Sequence, residues 1–372
     1  MKIFLNISRI IVGILFIFSG LIKANDPLGL SYKMQEFFEV WNLHALNSFT
    51  LTFSIIMIGF EIIAGVAVLL GWRMKFFSWM LLLLIIFFTF LTGYALFSGK
   101  IKECGCFGDC IPLQANQSFI KDLILLVLII PIFIYRNKIR PLFDIKQSIL
   151  ILFFVTVFSF AFQWFVLKHL PVVDCLPYKI GNNIPEKMQI PAGAIPDSTV
   201  ITFQYEYKGN PIEFTAEEFP EDFNDTDYTY IGRYDKIIRK GNAVPPIKDF
   251  SLLSPSGNDT TLNLLTEDSY QLYLFYLDEI NPGSWAPYLY TTIELANSKN
   301  IQSFLVTNAV INESNMKLLP ANIFPLRCDA VAIKTAARAN PTLYLIKNGN
   351  IINKWSYADL DRAIRDLQPV SN

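Results

Sequence analysis

Five apolar runs in the first 170 residues, each long enough to cross a bilayer, constrain this chain more than any other feature. They are residues 3–22 (IFLNISRIIVGILFIFSGLI), 49–70, 76–97, 119–135 and 148–168. A helix rises about 1.5 Å per residue, so about 20 residues span a hydrocarbon core of about 30 Å. In lipid every backbone N–H and C=O must find a partner inside the protein, which a helix supplies by itself. Five transmembrane helices are predicted. The first run has no small-x-small cleavage site and reads as a retained span rather than a signal peptide. The fourth is the shortest and carries Pro131 near its end.

Apolar residues make up 52% of the chain and charged residues 17%, and the second half is much the more polar. The net charge of −1 argues against a nucleic-acid partner, which needs a concentrated Lys/Arg surface. Membrane lipid is the first partner. Short loops rich in Lys and Arg stay in the cytoplasm. Arg136, Lys138, Arg140 and Lys146 lie between the fourth and fifth runs, and Arg73 and Lys75 between the second and third. With an odd number of spans, these loops predict a cytoplasmic N-terminus. The loop between the third and fourth runs, and everything after residue 170, then lie in the periplasm of a bacterial inner-membrane protein.

That exterior loop holds Cys104-Gly105-Cys106-Phe107-Gly108-Asp109-Cys110, three of the five cysteines, and Cys175 emerges just after the fifth run on the same face. Three readings are open. In an oxidising compartment, close cysteines form disulfides or exchange them. Here Cys104 and Cys106 would be the primary pair, and Cys110 or Cys175 the resolving thiol. Alternatively, the four sulfurs form a thiolate metal site, although Cys-x-Cys is tighter than common zinc-ligand spacings and an oxidising exterior disfavours thiolates. The third reading is a structural staple in a membrane scaffold or assembly factor. No Rossmann fingerprint, P-loop or His-based metal motif is present. His44 and His169 sit near span ends and read as interfacial.

Polar residues inside the spans need a reason. A carboxylate at mid-membrane costs roughly 2.5 kcal/mol or more unless paired or protonated. Glu61 is such a group, and Arg9 is its expected partner. Gly13, Phe16, Ser19, Gly20 and Lys23 form one small-residue stripe with a basic end, and Glu61, Gly65, Gly71 and Arg73 another. Close helix packing accounts for the glycines better than binding does. In these features residues 1–140 resemble the DoxX superfamily of four-helix membrane proteins. Cys104-Gly105-Cys106-Phe107-Gly108 resembles the methylamine utilisation MauE family. The resemblance implies maturation of disulfide-containing exported proteins by thiol-disulfide or quinone-linked electron transfer. A quinone is then the candidate cofactor, and an exported or periplasmic protein the client.

From Ile247 the order is β-α-β followed by β-β-α. A β-rich start at Phe250–Leu253 leads to a strand at Tyr270–Leu277, a helix over Ala286–Ser298 and a strand at Ile301–Val306. A hairpin follows, Thr342–Ile346 and Ile351–Trp355, turning at Asn348-Gly349, a strong hairpin signal. A last helix runs over Tyr357–Leu367. This half resembles a thioredoxin-like domain, with Pro341 as candidate cis-proline beside a peptide groove. Where that family carries Trp-Cys-x-x-Cys, the chain has Asn281-Pro282-Gly283-Ser284-Trp285-Ala286. The domain therefore lacks the dithiol that exchange requires, and Cys328 reads as a small buried hydrophobe.

The expected fold class is a membrane all-α bundle, four DoxX/MauE-like helices plus a fifth transmembrane helix, followed by a soluble α/β thioredoxin-like domain. The expected divisions are residues 1–140 for the bundle, 141–170 for the fifth span, 171–246 for an exterior connecting region with a small β subdomain, and 247–372 for the degenerate thioredoxin-like domain.

Overall fold

The computed structural model describes residues 2–370 apart from 102–104, 106, 222, 225, 240, 279–282 and 311–315. Its first part contains helices α1 (Lys2–Asn25), α2 (Pro27–Val40), α3 (Thr50–Leu70), α4 (Met74–Ser98), α5 (Ala115–Ile134) and α6 (Ile145–His169). Among the described residues five helices are long and apolar enough to cross a membrane; α2 is not one of them, and a 3-10 turn at His44–Phe49 leads into α3.

Missing side chains draw α1 and α3 together. A Cβ on Gly65 would lie 2.9 Å from the Gly13 carbonyl oxygen, and one on Gly20 would lie 2.5 Å from Cγ1 of Ile62. The small-residue stripes therefore work as packing surfaces. Gly59 of α3 likewise leaves room for the Phe160 ring of α6, 2.8 Å from where its Cβ would be. Phe153, Phe154 and Phe158 of α6 are exposed, as a lipid-facing surface requires.

α2 lies outside the five predicted spans. Its 14 residues mix Lys33, Glu36 and Glu39 with Phe37 and Phe38, too short and too polar to read as a span. Local chemistry nevertheless starts a helix there. Pro27 sits in the first turn, and the Asp26 side chain accepts from Gly29 N at 3.0 Å. Ser54 Oγ then donates to Pro27 O at 2.7 Å, and Ser31 Oγ donates to Thr50 Oγ1 at 3.0 Å, fixing α2 to the start of α3.

The second part contains α7 (Ile184–Lys187), strands β1 (Ser198–Tyr207), β2 (Asn210–Thr215) and β3 (Tyr228–Arg239), then α8 (Thr261–Leu265). After these come β4 (Tyr270–Tyr276), α9 (Ala286–Ser298), β5 (Gln302–Thr307), β6 (Phe324–Arg327), α10 (Ala330–Ala336), β7 (Thr342–Lys347), β8 (Asn350–Ser356) and α11 (Leu360–Leu367). One sheet is the antiparallel meander β2-β1-β3. The other has the order β6-β5-β4-β7-β8, with β4, β5 and β6 parallel and the β7-β8 hairpin antiparallel to them. This strand order is the one the thioredoxin-like resemblance predicts, and a cis Asn340–Pro341 peptide opens β7.

Alternate residues of its central strands face opposite cores, as the period of two demands. Tyr273, Phe275 and Tyr344 lie in one core, and Leu272, Leu274 and Leu343 in the other. Burial on both faces explains why β4 reads as an unbroken apolar run. Phe250–Leu253, read as β-rich, forms only isolated bridges, from Leu253 to Asp259 and to Arg327. The sequence reading passed over β2, β6 and α10. Pro325 hides β6, which tolerates a proline because it is an edge strand. The packing unit also reaches back beyond residue 247: Tyr178 and Ile184 are buried in the same core as Phe250. Gly181 N and Ile184 N donate to Ile351 O and Gly349 O, each at 2.8 Å. The meander is thus an excursion between two stretches of one domain.

Candidate functional site at the cysteine-loop end of the bundle

The loop joining α4 to α5 and the segment that follows α6 meet at one end of the bundle. They are joined there by a disulfide between Cys110 and Cys175, with Cα atoms 4.8 Å apart. Both cysteines are half-buried. Cys104 and Cys106, the expected primary pair, lie outside the described residues. With two of the four sulfurs bonded to each other, the four-thiolate metal alternative loses its ligand set.

An Asp precedes each bonded cysteine, and each Asp is held by a cation of the α/β domain. Arg338 donates from Nε to Asp26 at 2.7 Å and from Nη2 to Asp109 at 2.6 Å, and it also bonds the Lys334 carbonyl. Lys354 is paired with Asp174 and donates to Tyr178 O at 3.3 Å. Burial alone would lower the pKa of the Arg338 guanidinium. The Asp26 and Asp109 carboxylates outweigh it, and the net shift is upward. For Lys354 burial wins over Asp174, and its pKa falls. Further contacts across the same junction are His169 Nδ1 to Asp359 Oδ1 at 3.0 Å and Lys334 Nζ to Gln35 Oε1 at 3.3 Å. Asn25 accepts from Val173 N at 3.0 Å and donates to its carbonyl at 2.8 Å.

This arrangement corrects the open peptide groove expected beside Pro341. Pro341 is buried, and the turn leading to it carries Arg338 into the membrane half. Asn340 bonds both backbone groups of Leu277 at 2.9 Å, closing the end of β4. Trp285 is a core residue as well, packed on Tyr276 with ring centroids 5.9 Å apart. Cys328 is buried, and burial pushes its thiol up to about 12, so it holds almost no thiolate at neutral pH.

Within the bundle, the partner of Glu61 is Lys23 rather than Arg9. Lys23 Nζ donates to the two carboxylate oxygens at 3.0 and 2.7 Å, and both side chains are buried. Arg9 lies 14 residues earlier on α1, about 21 Å away along the axis. Its guanidinium sits at the other end of α3, close to Gly71. The sequence reading missed a second acid, Asp122 of α5, which accepts from Thr92 Oγ1 at 3.0 Å and pairs with Lys121 at 2.9 Å. Its signal was a charge just inside the fourth apolar run. The junction had a signal too: the dipeptide Asp-Cys occurs twice, at 109–110 and 174–175.

Phe107 anchors the cysteine loop above these groups, its ring centroid 6.0 Å from that of Phe18 and 4.9 Å from Lys121 Nζ. Gly105, with φ +67°, passes Lys33 so closely that a Cβ would lie 3.0 Å from the lysine Cγ. Glycine is the residue that permits both.

Comparison with known proteins agrees with this architecture. Residues 1–135 match the family model described as methylamine utilisation protein MauE, and residues 199–240 match one described as a domain of unknown function, DUF8463. Protein TlpB of Flavobacterium psychrophilum is 32% identical over 141 residues, which is 35% of this chain and 36% of that protein. The match thus spans about a third of the relative's length. No solved structure matches the chain. Residues 1–135 are thus similar to MauE, within a multi-pass membrane protein that carries a C-terminal α/β domain.

Proposed function

We propose that this protein is a thiol-disulfide exchange protein of the bacterial inner membrane that supports the maturation of exported proteins. The N-terminus is cytoplasmic, and the cysteine loop and α/β domain are periplasmic. The observation that carries the reading is the Cys110–Cys175 disulfide, half-buried at the end of the bundle and flanked by carboxylates that a cysteine-depleted domain grips. A client thiolate attacks one sulfur, the Cys110–Cys175 bond breaks, and a mixed disulfide forms as the other cysteine leaves as thiolate. A second client thiol displaces the first cysteine, so the client leaves oxidised and Cys110 and Cys175 are left as thiols. Exchange with a Cys104–Cys106 disulfide restores the bond and moves two electrons toward the bundle. The α/β domain takes no chemical part. It positions the loop.

Replacing Cys104 and Cys106 by serine tests the reading. Client oxidation falls while the protein stays abundant and folded. The second reading, a scaffold with a structural staple, is favoured by the ion pairs that anchor both ends of the bond. It predicts the opposite result: the serine variants leave client oxidation unchanged, and breaking Cys110–Cys175 removes the protein itself. A reporter fused after Asn372 that is active only in the cytoplasm would overturn the orientation.

A further inference from the structure

A cavity of about 430 Å³ lies between α3 and α4 beneath α2, within the size range of small-ligand sites. Its walls are almost wholly apolar and rich in rings, among them Phe37, Trp41, Phe53, Phe60, Phe87 and Phe88. Phe53, Ile56 and Phe87 are also exposed on the outer surface of the two spanning helices, so the mouth faces lipid rather than water. The helical walls come from residues 53–60 of α3 and 84–92 of α4, away from the turn at Gly71 that joins these helices. From Leu84 to Thr92 the α4 wall rises about 12 Å, less than half of a hydrocarbon core of about 30 Å. The cavity therefore belongs to one leaflet, the one on the side of the cysteine loop.

The polar groups on the inner wall are already engaged within the protein. Lys23 donates to both carboxylate oxygens of Glu61, and its ammonium lies over the Phe88 ring at 4.8 Å. Thr92 Oγ1 donates to Asp122 at 3.0 Å. What fills this part meets no uncompensated charge, which calls for a hydrocarbon chain. Polarity open to a ligand lies at the α2 edge. Lys33 borders the cavity there, packed against Gly105 of the cysteine loop, and pairs with Glu36 at 3.2 Å. These two side chains are 25% and 39% exposed, so both remain open to groups in the headgroup layer. An apolar hollow whose rim carries one cation and one anion complements a zwitterionic amphiphile. An anionic headgroup would satisfy Lys33 and set like charge against Glu36. A choline has no N–H to donate, whereas a primary ammonium has three.

We propose that this cavity is a phospholipid site: it holds an acyl chain of phosphatidylethanolamine, which enters from the bilayer between α3 and α4 and sets its phosphate on Lys33 and its ammonium on Glu36. The site goes beyond the thiol-disulfide reading and stands without it, since no cysteine takes part. It bears on the cysteine loop only through Lys33, which packs against Gly105.

The test uses the full-length protein in phosphatidylcholine nanodiscs doped with brominated-chain lipids. Trp41 lines the cavity, so its emission is read as the component lost in Trp41→Phe. Brominated phosphatidylethanolamine is expected to quench that component saturably, at a lower mole fraction than brominated phosphatidylglycerol or phosphatidylcholine, and unbrominated phosphatidylethanolamine is expected to reverse the quenching. Filling the cavity with Met34→Phe and Leu91→Phe is expected to weaken the saturable component about tenfold, with the melting profile and the Cys110–Cys175 bond unchanged. Glu36→Gln, a partly exposed position on α2, is expected to bring the glycerol headgroup level with ethanolamine and to leave the fold intact. Equal quenching by all three headgroups, or quenching that rises with mole fraction and never saturates, would mean ordinary boundary lipid and overturn the inference. A preference for phosphatidylglycerol in the native protein would overturn it too, as would an ethanolamine preference that Glu36→Gln leaves untouched.

Discussion

Replacing Arg338 by methionine keeps the length of the side chain and removes the charge that ties the two halves together. The guanidinium is 6% exposed and makes charge-assisted bonds of 2.7 and 2.6 Å to Asp26 and Asp109, whose side chains are 13% and 31% exposed. Such bonds contribute roughly 1.5–3 kcal/mol each, and removing one partner strands the other charge. Discounting the Asp109 contact for its contact with water leaves about 3 kcal/mol of docking free energy. That is about a 150-fold rise in the undocked fraction, at about 1.4 kcal/mol per decade. Hydrogen exchange of the full-length protein in detergent reads this directly. Amides of residues 336–340 and 107–110 are expected to lose about a hundredfold in protection in Arg338→Met, while the β4 and β5 amides keep theirs. Adding Asp26→Asn and Asp109→Asn restores more than half of the loss, because no charge is then left unpaired and Asn still caps α2. Protection within twofold of the native protein would refute the reasoning. Equal loss at the junction and in the β4-β5 core would also refute it, since that reports unfolding rather than undocking.

Other outcomes follow from the same geometry. Lys23→Met or Glu61→Gln alone strands a buried charge and is expected to cost about 3 kcal/mol or more of bundle stability, read as a lower melting temperature in detergent; the double variant costs less than either single one. Gly65→Val drives a side chain against the Gly13 carbonyl oxygen and separates α1 from α3, so folded protein in the membrane is expected to fall several-fold, against little change for Gly232→Ala, where nothing lies within 4 Å. Cys328, whose thiol rises from 9.0 to about 12, holds about 1,000-fold less thiolate than an ordinary cysteine near pH 8. It is expected to react with maleimide only after denaturation. The sign of its linkage is fixed as well. Between pH 9 and 12 the unfolded chain releases the proton and the folded one keeps it, so its contribution to stability is intact below pH 9 and declines as pH rises through that window.

Five spans and the hairpin were legible because each is written locally, as an unbroken apolar run or an Asn-Gly turn between apolar alternations, whereas the cis-proline was legible only through the thioredoxin-like resemblance. What escaped depends on tertiary partners. α2 is held by Ser54 and Thr50 from another helix, and β6 is a four-residue edge strand containing a proline. The sequence offers Arg9, inside the same first run, as a partner of Glu61, yet antiparallel packing of α1 on α3 brings Lys23 to the acid. The junction was the least legible part. Asp26, Asp109 and Asp174 sit up to 312 positions from the cations they meet, and no local pattern links them.

The central claim is that the cysteines at the end of the bundle exchange disulfides with other proteins. Cys175→Ser frees Cys110 and removes its resolving partner, so covalent intermediates accumulate. In cells quenched with acid and alkylated, non-reducing gels of this variant are expected to show mixed disulfides between Cys110 and exported proteins, lost on reduction and absent when Cys110 is also serine. A Cys110 that forms no adduct, together with a native Cys110–Cys175 bond that stays oxidised in every molecule whether respiration runs or is blocked, would contradict the account.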